Sequence, residues 1–201
     1  MDTARPFLDY LRKFIDMSED EFGQEIVPLL DLKKVAKKEI LTRAGETENN
    51  IYFIIKGFIR KYYPRHNEEI NTQLSYEGHI IHSQESFHSR TPSEYFVEAI
   101  EPTTVVAMTY DQLESLFSSS QRMEHMGRMI ITYTMVIKDR LQMQLVKMSP
   151  RERFLNFVTK NPELMQRVPQ KYLASYLNIK PETFSRFKHL LRDHTKAVHN
   201  P

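Results

Sequence analysis

The chain has 201 residues, of which 40% are hydrophobic and 27% charged, a composition typical of a globular protein with one large domain or two small ones. Cysteine is absent, which excludes disulfide bonds, thiolate-ligated zinc, cysteine-held iron–sulfur clusters and thiol nucleophiles. The net charge of +2 hides an asymmetry, because residues 1–149 carry 18 basic and 22 acidic side chains, net −4, whereas residues 150–201 carry 10 and 4, net +6. Such a basic carboxy-terminal module is typical of a protein that binds a polyanion.

No stretch approaches the roughly 18 consecutive apolar residues of a transmembrane helix, and the amino terminus does not lead into the apolar region of a signal peptide. We therefore expect a soluble, cytoplasmic protein without a membrane partner.

The first segment of the chain is predicted to be helical. Between Pro6 and Phe22, apolar residues recur at three- and four-residue spacing. Ser18 followed by Glu21 is a capping-box pattern, which predicts a second helix that runs to about Leu30.

After Asp31 the pattern changes to short runs rich in β-branched and aromatic residues, separated by polar breaks. The runs are Leu32–Ala36, Ile51–Ile55, Phe58–Tyr63, Ile70–Ser75 and Val97–Ile100. They predict an antiparallel, jelly-roll-like β-roll of some eight strands in a sensor region of residues 1–118. Its clearest signal is a hairpin in which two strands meet at Gly57, since glycine adopts turn conformations that are closed to other residues.

Residues 119–149 are predicted to form one long helix. Between Ser120 and Met148 there is no proline, so a helix of nearly 29 residues would be about 43 Å long. Its apolar stripe either packs only on the sheet of its own chain or also meets the same helix of a second subunit. We favour a dimerisation helix, and the candidate interface residues are Met126, Ile130, Tyr133, Ile137 and Leu141.

Residues 150–201 are predicted to be a helical DNA-binding domain. Four short helical segments are expected, at Pro150–Lys160, Pro162–Arg167, Pro169–Leu177 and Pro181–Arg192. The last two have the spacing of a helix-turn-helix, with the small Ala174 where the helices cross and Asn178 at the turn. Ile179, Phe184 and Phe187 can hold the second helix on the first.

The outward face of that second helix carries the candidate base-reading residues Glu182, Ser185 and Arg186. In a major groove, Arg186 can pair with guanine through two hydrogen bonds, and Glu182 can accept one from a cytosine amino group. The alternative is that these two side chains form a surface ion pair on a helical packing module.

The roll with its Ile54-Ile55-Lys56-Gly57-Phe58-Ile59-Arg60 hairpin, the long helix and the helix-turn-helix together resemble the Crp/Fnr family of bacterial transcription regulators, over about residues 5–192. The fold class is then α+β. The resemblance implies a homodimer that reads a pseudo-palindromic site in double-stranded DNA, with RNA polymerase as a further candidate partner. It places Glu182 and Arg186 at the family's base-reading positions.

The resemblance also implies phosphate contacts from Lys171, Lys180 and Thr183, and Lys188 joins this set from its place on the outward face of the helix. Pro181 and Ser185 depart from the best-known members, which carry an arginine and a glycine there. The segment Asp193–Pro201 is too short to supply the family's usual β-hairpin wing.

The family's cyclic-nucleotide-binding members hold the phosphate with an Arg-Ser/Thr-Ala run and the ribose with a Gly-Glu pair. In this chain Ser93-Glu94-Tyr95 and His82-Ser83 stand at these positions. A phosphate beside Glu94 without an arginine would meet repulsion and an uncompensated desolvation cost, and Arg90 is the only nearby cation. We expect that cyclic AMP is not the effector, and we leave the effector open as a small molecule or a protein.

Two other classes of function stay open as alternatives. One is a protein-interaction module of the same architecture without DNA binding. The other is a cupin-type metal enzyme that uses His79, His82, Glu85 and His88. Residues three apart on a strand point to opposite faces, and no catalytic motif accompanies these histidines. We expect loop and surface histidines, no catalytic residue, no metal and no cofactor.

Overall fold

The computed structural model describes residues 2–66 and 68–188. These residues form an α+β architecture in which two antiparallel sheets lie between an amino-terminal group of helices and a carboxy-terminal helical module. The helices are α1 (Arg5–Leu11), α2 (Glu19–Glu21), α3 (Gln84–Ser89), α4 (Tyr110–Ser119), α5 (Gln121–Lys147), α6 (Pro150–Lys160), α7 (Leu164–Arg167), α8 (Gln170–Tyr176) and α9 (181–188). The strands are β1 (Asp31–Val35), β2 (Ile40–Thr42), β3 (Asn50–Lys56), β4 (Phe58–Arg65), β5 (Glu68–Tyr76), β6 (Ile80–Ile81), β7 (Phe96–Ala99) and β8 (Thr103–Thr109).

The amino-terminal helices are shorter than the sequence predicts. Helix α1 ends at Leu11, and the chain then turns while the Arg12 side chain donates to the Met17 carbonyl at 2.8 Å. This turn brings Met17 into the core that also contains Leu11. The Ser18 cap is confirmed, because its hydroxyl accepts from the Glu21 amide at 3.0 Å. The helix predicted after it is instead a short α2, a π-helical turn at Phe22–Ile26 and a 3-10 turn at Val27–Leu29.

The eight strands form the predicted roll. One sheet has the order β1-β8-β3-β6 and the other β2-β7-β4-β5, and every pairing is antiparallel. Alternate apolar residues of both sheets point inward and form a shared core. That core includes Ile54 and Val105 from the first sheet and Ile59, Val97 and Ala99 from the second.

Gly57 takes the left-handed conformation that the sequence predicts, with φ +108°. The hairpin prediction is wrong, however, because β3 and β4 belong to different sheets and do not pair. Gly57 forms the corner at which the chain crosses from one sheet to the other. A Cβ atom there would lie 2.4 to 2.8 Å from three atoms of Thr103. The glycine therefore permits both the positive φ and the close approach of the neighbouring backbone.

Helix α5 confirms the predicted long helix, and Ser120 caps it by accepting from the Met123 amide at 3.2 Å. Its first turns pack on the roll, where Met123 and Gly127 are buried. A Cβ atom on Gly127 would lie 2.5 Å from the Phe117 ring of α4, so the glycine lets the two helices approach closely.

The carboxy-terminal helices share a core with the roll. Phe154, Leu173 and Phe184 form its centre, and Phe58 and Ile100 of the roll belong to the same apolar cluster. Among the described residues, every helix is too short or too polar to cross a lipid bilayer.

Candidate nucleic-acid interface and sensor pocket

Helix α6 begins with a complete capping box. The Ser149 hydroxyl accepts from the Glu152 amide, and the Glu152 carboxylate accepts from the Ser149 amide at 2.8 Å. The next residue, Arg153, is 8% exposed and donates to the carbonyls of Met148, Leu177 and Asn178 at 2.6 to 3.0 Å. One buried guanidinium thus fixes the end of α5 against the turn of the helix-turn-helix.

The helix-turn-helix consists of α8, a turn and α9. Asn178 lies in the turn with φ +52°, which confirms the left-handed position. The Ile179 amide donates to the Ala174 carbonyl at 2.9 Å, so the turn folds back on the first helix. Ala174 and Phe184 are fully buried. The rings of Phe154 and Phe184 meet edge to face, with centroids 5.0 Å apart.

The outward face of α9 carries Glu182, Ser185 and Arg186, all exposed. Their spacing of three and four residues places them on one side of the helix. The Arg186 guanidinium donates to the Thr183 hydroxyl at 3.2 Å. Within the described part of the chain, Glu182 and Arg186 form no ion pair with each other. The base-reading candidates are therefore open to a ligand.

The phosphate candidates lie on both helices of the motif. Lys171 and Lys180 are exposed at the beginnings of α8 and α9, while Thr183 and Lys188 are half-buried on α9. The end of the helix predicted to reach Arg192, and the segment Asp193–Pro201 in which no wing was expected, lie outside the described residues.

Helix α5 presents an exposed apolar face. Tyr133, Ile137 and Leu141 are exposed, and Ile130 is half-buried against the core of its own chain. Met126 is a correction to the predicted interface set. It is 2% exposed and lies in the core formed with α1 and the roll, because the start of α5 faces the sheet.

Further exposed apolar side chains lie around the rest of the helix surface. The exposed members beyond the candidate set are Met129, Ile131, Met135, Val136, Met143, Leu145 and Val146. A run of exposed apolar residues along most of a helix marks an interaction surface.

Arg60 of strand β4 connects the roll to helix α8. This side chain is 1% exposed and lies between the rings of Tyr62 and Tyr172, 3.8 and 3.9 Å from their centroids. It also forms ion pairs with Glu69 at 2.7 Å and Glu98 at 2.9 Å. Because Tyr172 belongs to α8, this buried charge joins the roll to the helix-turn-helix.

Ser175 makes a second contact between the two parts. Its hydroxyl accepts from the Asn71 amide at 2.9 Å and donates to the Glu69 carbonyl at 3.1 Å, both on strand β5. Arg167 adds a third contact, since it pairs with both carboxylate oxygens of Glu77 at 3.0 Å and with Glu101 at 2.6 Å.

In the family's cyclic-nucleotide-binding members, the residues that bind the phosphate and the ribose lie in one segment of the roll, which we call the cassette. In this chain the cassette consists of β6, α3 and the loop before β7. The structure brings Ser83 and Ser93 together, with their hydroxyls 2.7 Å apart. The Glu48 carboxylate, 1% exposed, accepts from the Ser83 amide at 3.1 Å, the Asn50 amide at 3.1 Å and the Thr42 hydroxyl at 2.6 Å. Burial raises the pKa of Glu48. The chain's own carboxylate therefore occupies hydrogen-bond donors of the cassette.

The Arg90 guanidinium is hydrogen-bonded to groups of its own chain. Its guanidinium donates to the Glu48 carbonyl at 2.8 Å and to the Asn49 side chain at 2.6 Å, and it lies 4.3 Å from the centre of the Tyr110 ring. The only cation that the sequence offered near the cassette is thus used to hold α3 in place.

Two lysines contact residues on either side of Ser83. Lys61 of β4 is 6% exposed, and its ammonium group donates to the His82 carbonyl at 3.4 Å. Lys138 of α5 donates to the Gln84 side chain. Burial, followed by the charge of Lys138, lowers the pKa of Lys61 to about 8.

The sequence predicts that the histidines of this region lie in loops and at the surface, but His82 is buried. The His82 ring packs edge to face on Phe87, and burial lowers its pKa to about 3. Its Nε2 atom is buried and has no hydrogen-bond partner among the described residues. Within the same residues, no three histidine, aspartate or glutamate side chains converge in a group that could hold a metal ion.

Sequence reasoning missed Glu48, Arg60, Lys61 and Arg153. A signal existed for Arg60 and Lys61, because they are charged residues inside the apolar run of β4. No comparable signal marks Glu48, which lies in a polar loop, or Arg153, which lies among other charged residues at the start of α6.

Residues 32–120 match the cyclic nucleotide-binding domain family. FixK2 from Bradyrhizobium japonicum is 17% identical, with 84% of this chain and 86% of that chain covered and a TM-score of 0.70. A transcriptional regulator assigned to the Crp/Fnr family, from Eubacterium rectale, is 14% identical over 92% of this chain and 88% of that one, with a TM-score of 0.69. Catabolite activator protein from Thermus thermophilus is 15% identical over 92% and 88%, with a TM-score of 0.56.

These similarities confirm the resemblance at the level of the fold. Residues 32–120 are similar to the cyclic nucleotide-binding domain family, and the chain as a whole shares the fold of these solved regulators. No curated protein matches the chain.

Proposed function

We propose that this chain, which has the fold of the Crp/Fnr regulators, is a homodimeric transcription regulator that binds double-stranded DNA and does not respond to cyclic AMP. The observation that carries the proposal is the outward face of α9, where Glu182, Ser185 and Arg186 are exposed on a helix fixed by a buried turn. Exposed polar side chains on a rigid helix are what reading base edges in a major groove requires.

Charge supports the same role. Residues 150–201 have a net charge of +6, and Lys171 and Lys180 are exposed at the beginnings of the two helices of the motif. Phosphate contacts of this kind supply affinity and orientation, while base contacts supply specificity.

The exposed apolar face of α5 supports a homodimer. Ile137 and Leu141 are four residues apart and exposed, and pairing this face with its copy would remove it from water. Two α9 helices related by a twofold axis would enter successive major grooves about 34 Å apart on a pseudo-palindromic site.

The cassette supports independence from cyclic AMP. Ser93 stands where an arginine would neutralise the cyclic phosphate, and Glu48 occupies the Ser83 amide. Bringing a phosphate group beside this carboxylate, with no arginine at the Ser93 position, carries repulsion and a desolvation cost.

Selection of genomic fragments with the purified protein, followed by gel-shift assays on an enriched fragment and on random DNA, tests the proposal. We expect Arg186→Ala to weaken binding to the enriched fragment by about 10- to 150-fold, which corresponds to about 1 to 3 kcal/mol, and to leave binding to random DNA unchanged. Lys37→Ala, on the exposed turn before β2, is the matched control.

Equal losses on both DNAs for Arg186→Ala would contradict the base-reading role. Enrichment of no fragment would favour the protein-interaction module of the same architecture. Tighter DNA binding on addition of cyclic AMP would contradict independence from cyclic AMP. The molar mass of the protein in solution, measured by light scattering, tests the dimer.

A further inference from the structure

We propose that Arg153 determines which spacing between DNA half-sites the dimer accepts, because its guanidinium joins the end of α5 to the turn before α9. The proposal rests on the proposed function, in which α5 dimerises and α9 reads bases. In such a dimer the two α9 helices must lie at the separation and rotation that successive major grooves impose. A side chain that fixes α9 relative to the dimerisation helix therefore acts on specificity without touching DNA, as a positioning residue.

The covalent connection between α5 and α6 is short and does not by itself fix their relative direction. Met148 and Ser149, the two residues between the helices, are both extended, with ψ 138° and 160°. A change in the backbone angles of a few residues at the end of an element can swing one part of a chain relative to another. Contacts between side chains and backbone must therefore hold α6, and with it the helix-turn-helix, in one direction relative to α5.

Arg153 supplies such a contact from the first turn of α6. Its guanidinium donates to the Met148 carbonyl at 2.6 Å and, more weakly, to the Leu145 carbonyl at 3.4 Å. The Leu145 carbonyl does not receive its helical hydrogen bond, because the Ser149 amide donates to the Glu152 side chain instead. Arg153 thus binds carbonyls at the carboxy-terminal end of α5, where a cation is favoured.

The rest of the same guanidinium binds the turn of the helix-turn-helix. Its Nε atom donates to the Leu177 carbonyl at 2.8 Å, and its Nη2 atom donates to the Asn178 carbonyl at 3.0 Å. Asn178 is the left-handed residue of the turn, and α9 begins three residues later, at Pro181. The position of these two carbonyls therefore sets where α9 begins relative to α5.

A guanidinium suits this connection because its nitrogen atoms are held in one rigid plane. A lysine has the same charge, but its single nitrogen atom on a flexible chain cannot hold both segments in one geometry. Among the described residues, no carboxylate oxygen lies within 4.0 Å of Arg153. The buried charge is therefore held by the backbone carbonyls of the two segments that it connects.

The roll contacts the helix-turn-helix at a different place. Tyr172 lies on Arg60, and Ser175 binds the backbone of β5, so these contacts place α8 relative to the roll of its own chain. Within the part of the chain that the structure describes, Arg153 is the side chain that hydrogen-bonds to both α5 and the turn.

This arrangement separates the affinity for one half-site from the affinity for two. A dimer gains affinity from the second half-site because the second α9 binds at a high effective concentration, and this gain requires the correct geometry. Without the Arg153 connection, α9 would occupy several positions relative to the twofold axis. Binding to one half-site would then persist, while the gain from the second half-site and the preference for one spacing would fall.

Gel shifts on three kinds of DNA test the proposal: the enriched fragment, the same fragment with one half-site scrambled, and fragments whose half-sites are moved apart by a few base pairs. For the unsubstituted protein, changing the spacing should weaken binding about tenfold, because each added base pair turns one half-site by about 35° relative to the other. Arg153→Lys should bind the single half-site within about twofold of the unsubstituted protein, bind the enriched fragment about tenfold more weakly and lose the preference for its spacing.

Arg151→Lys, at an exposed position of the same helix, is the matched control and should keep the spacing preference. A spacing preference that survives in Arg153→Lys would overturn the proposal. Equal losses on the single half-site and on the enriched fragment would also overturn it, because they would mean that Arg153 only stabilises the helix-turn-helix.

A second variant keeps the proposal falsifiable if Arg153→Lys does not fold. Insertion of one glycine between Met148 and Ser149 moves the end of α5 away from Arg153 and leaves the bonds to Leu177 and Asn178 in place. This insertion is expected to keep half-site binding and to lose the preference for the original spacing. An unchanged spacing preference would overturn the proposal.

A distance measurement without DNA separates this inference from the proposed function. Because the chain has no cysteine, Ser185→Cys allows one spin label to be placed on α9 of each protomer. We expect a narrow distribution of distances between the two labels of the dimer, and a broader one when Arg153→Lys is added. Equal widths would overturn the role of Arg153 alone, whereas absence of DNA binding by the unsubstituted protein would overturn the proposed function and the spacing role with it.

Discussion

The roll and the helix-turn-helix use charged side chains in opposite ways. In the roll, Arg60 and Glu98 are buried and bound to each other inside the chain. On α9, Glu182 and Arg186 are exposed and form no ion pair within the described residues. Charge enclosed in the roll fixes the positions of its neighbours, whereas charge at the surface of α9 is open to a binding partner. Replacing a buried, paired charge in the roll should therefore reduce stability, whereas replacing a charged residue on α9 should reduce DNA binding and leave stability nearly unchanged.

Arg60→Met is expected to have the largest effect, on stability. It leaves Glu98 buried without its partner and removes the cation from between Tyr62 and Tyr172. Removing one member of a buried ion pair costs about 3 to 5 kcal/mol of unfolding free energy. Urea unfolding of the variant and of the unsubstituted protein measures this loss of unfolding free energy. The same substitution at Arg186 should change stability by less than about 0.5 kcal/mol, and similar losses at both sites would break the comparison.

Lys61→Met is expected to stabilise the protein at neutral pH. Burial lowers the pKa of Lys61 to about 8, below the value of about 10.4 in an unfolded chain. Below pH 8 the native state carries the full cost of the buried charge, and between pH 8 and 10.4 stability rises because only the unfolded state keeps the proton. The variant should gain about 1 to 3 kcal/mol at pH 7 and lose this advantage by about pH 10.4.

Unfolding midpoints measured from pH 7 to pH 10.5 check this expectation. Lys171→Met, at an exposed position on α8, serves as the control and should show the same pH dependence as the unsubstituted protein. A stability difference for Lys61→Met that does not change with pH would mean that lost packing, rather than charge, is responsible.

Arg167→Met tests the contact between the two regions. Arg167 pairs with Glu77 and Glu101 but is partly exposed, so its loss should cost about 1 kcal/mol. Added salt should reduce the stability of the unsubstituted protein more than that of the variant, because salt screens exposed ion pairs. Arg151→Met, at an exposed site on α6, provides the reference, and equal salt responses would argue against a role for Arg167.

Lys171→Met is expected to have the smallest effect, a uniform weakening of DNA binding. One lost phosphate contact reduces the slope of log affinity against log salt by about 1. Gel shifts on the enriched and random fragments at several salt concentrations measure the slope. A loss confined to the enriched fragment would instead place Lys171 among the base readers.

The sequence predicts the architecture well where local chemistry decides it. The cap at Ser18, the left-handed positions of Gly57 and Asn178 and the buried Ala174 follow from residue type and spacing, and the structure confirms them.

Long-range contacts could not be predicted. Two strands joined by one glycine fit either a hairpin or a corner between sheets, and only pairing with β7 and β8 decides between them. Met126 has the same spacing as the exposed residues of α5, but the roll covers its end of the helix. The contact of Glu48 with Ser83 joins residues 35 positions apart, and no periodicity in the sequence marks it.

The position of Ser175 has a consequence for solubility. Strand β5 is the outer strand of its sheet, and an open edge can pair with strands of other chains. The Ser175 hydroxyl binds one amide and one carbonyl of that edge, and Tyr172 lies against Arg60 close by. The helix-turn-helix thereby protects the roll from edge-to-edge aggregation, and a movement of α8 away from β5 would expose backbone groups that recruit other chains.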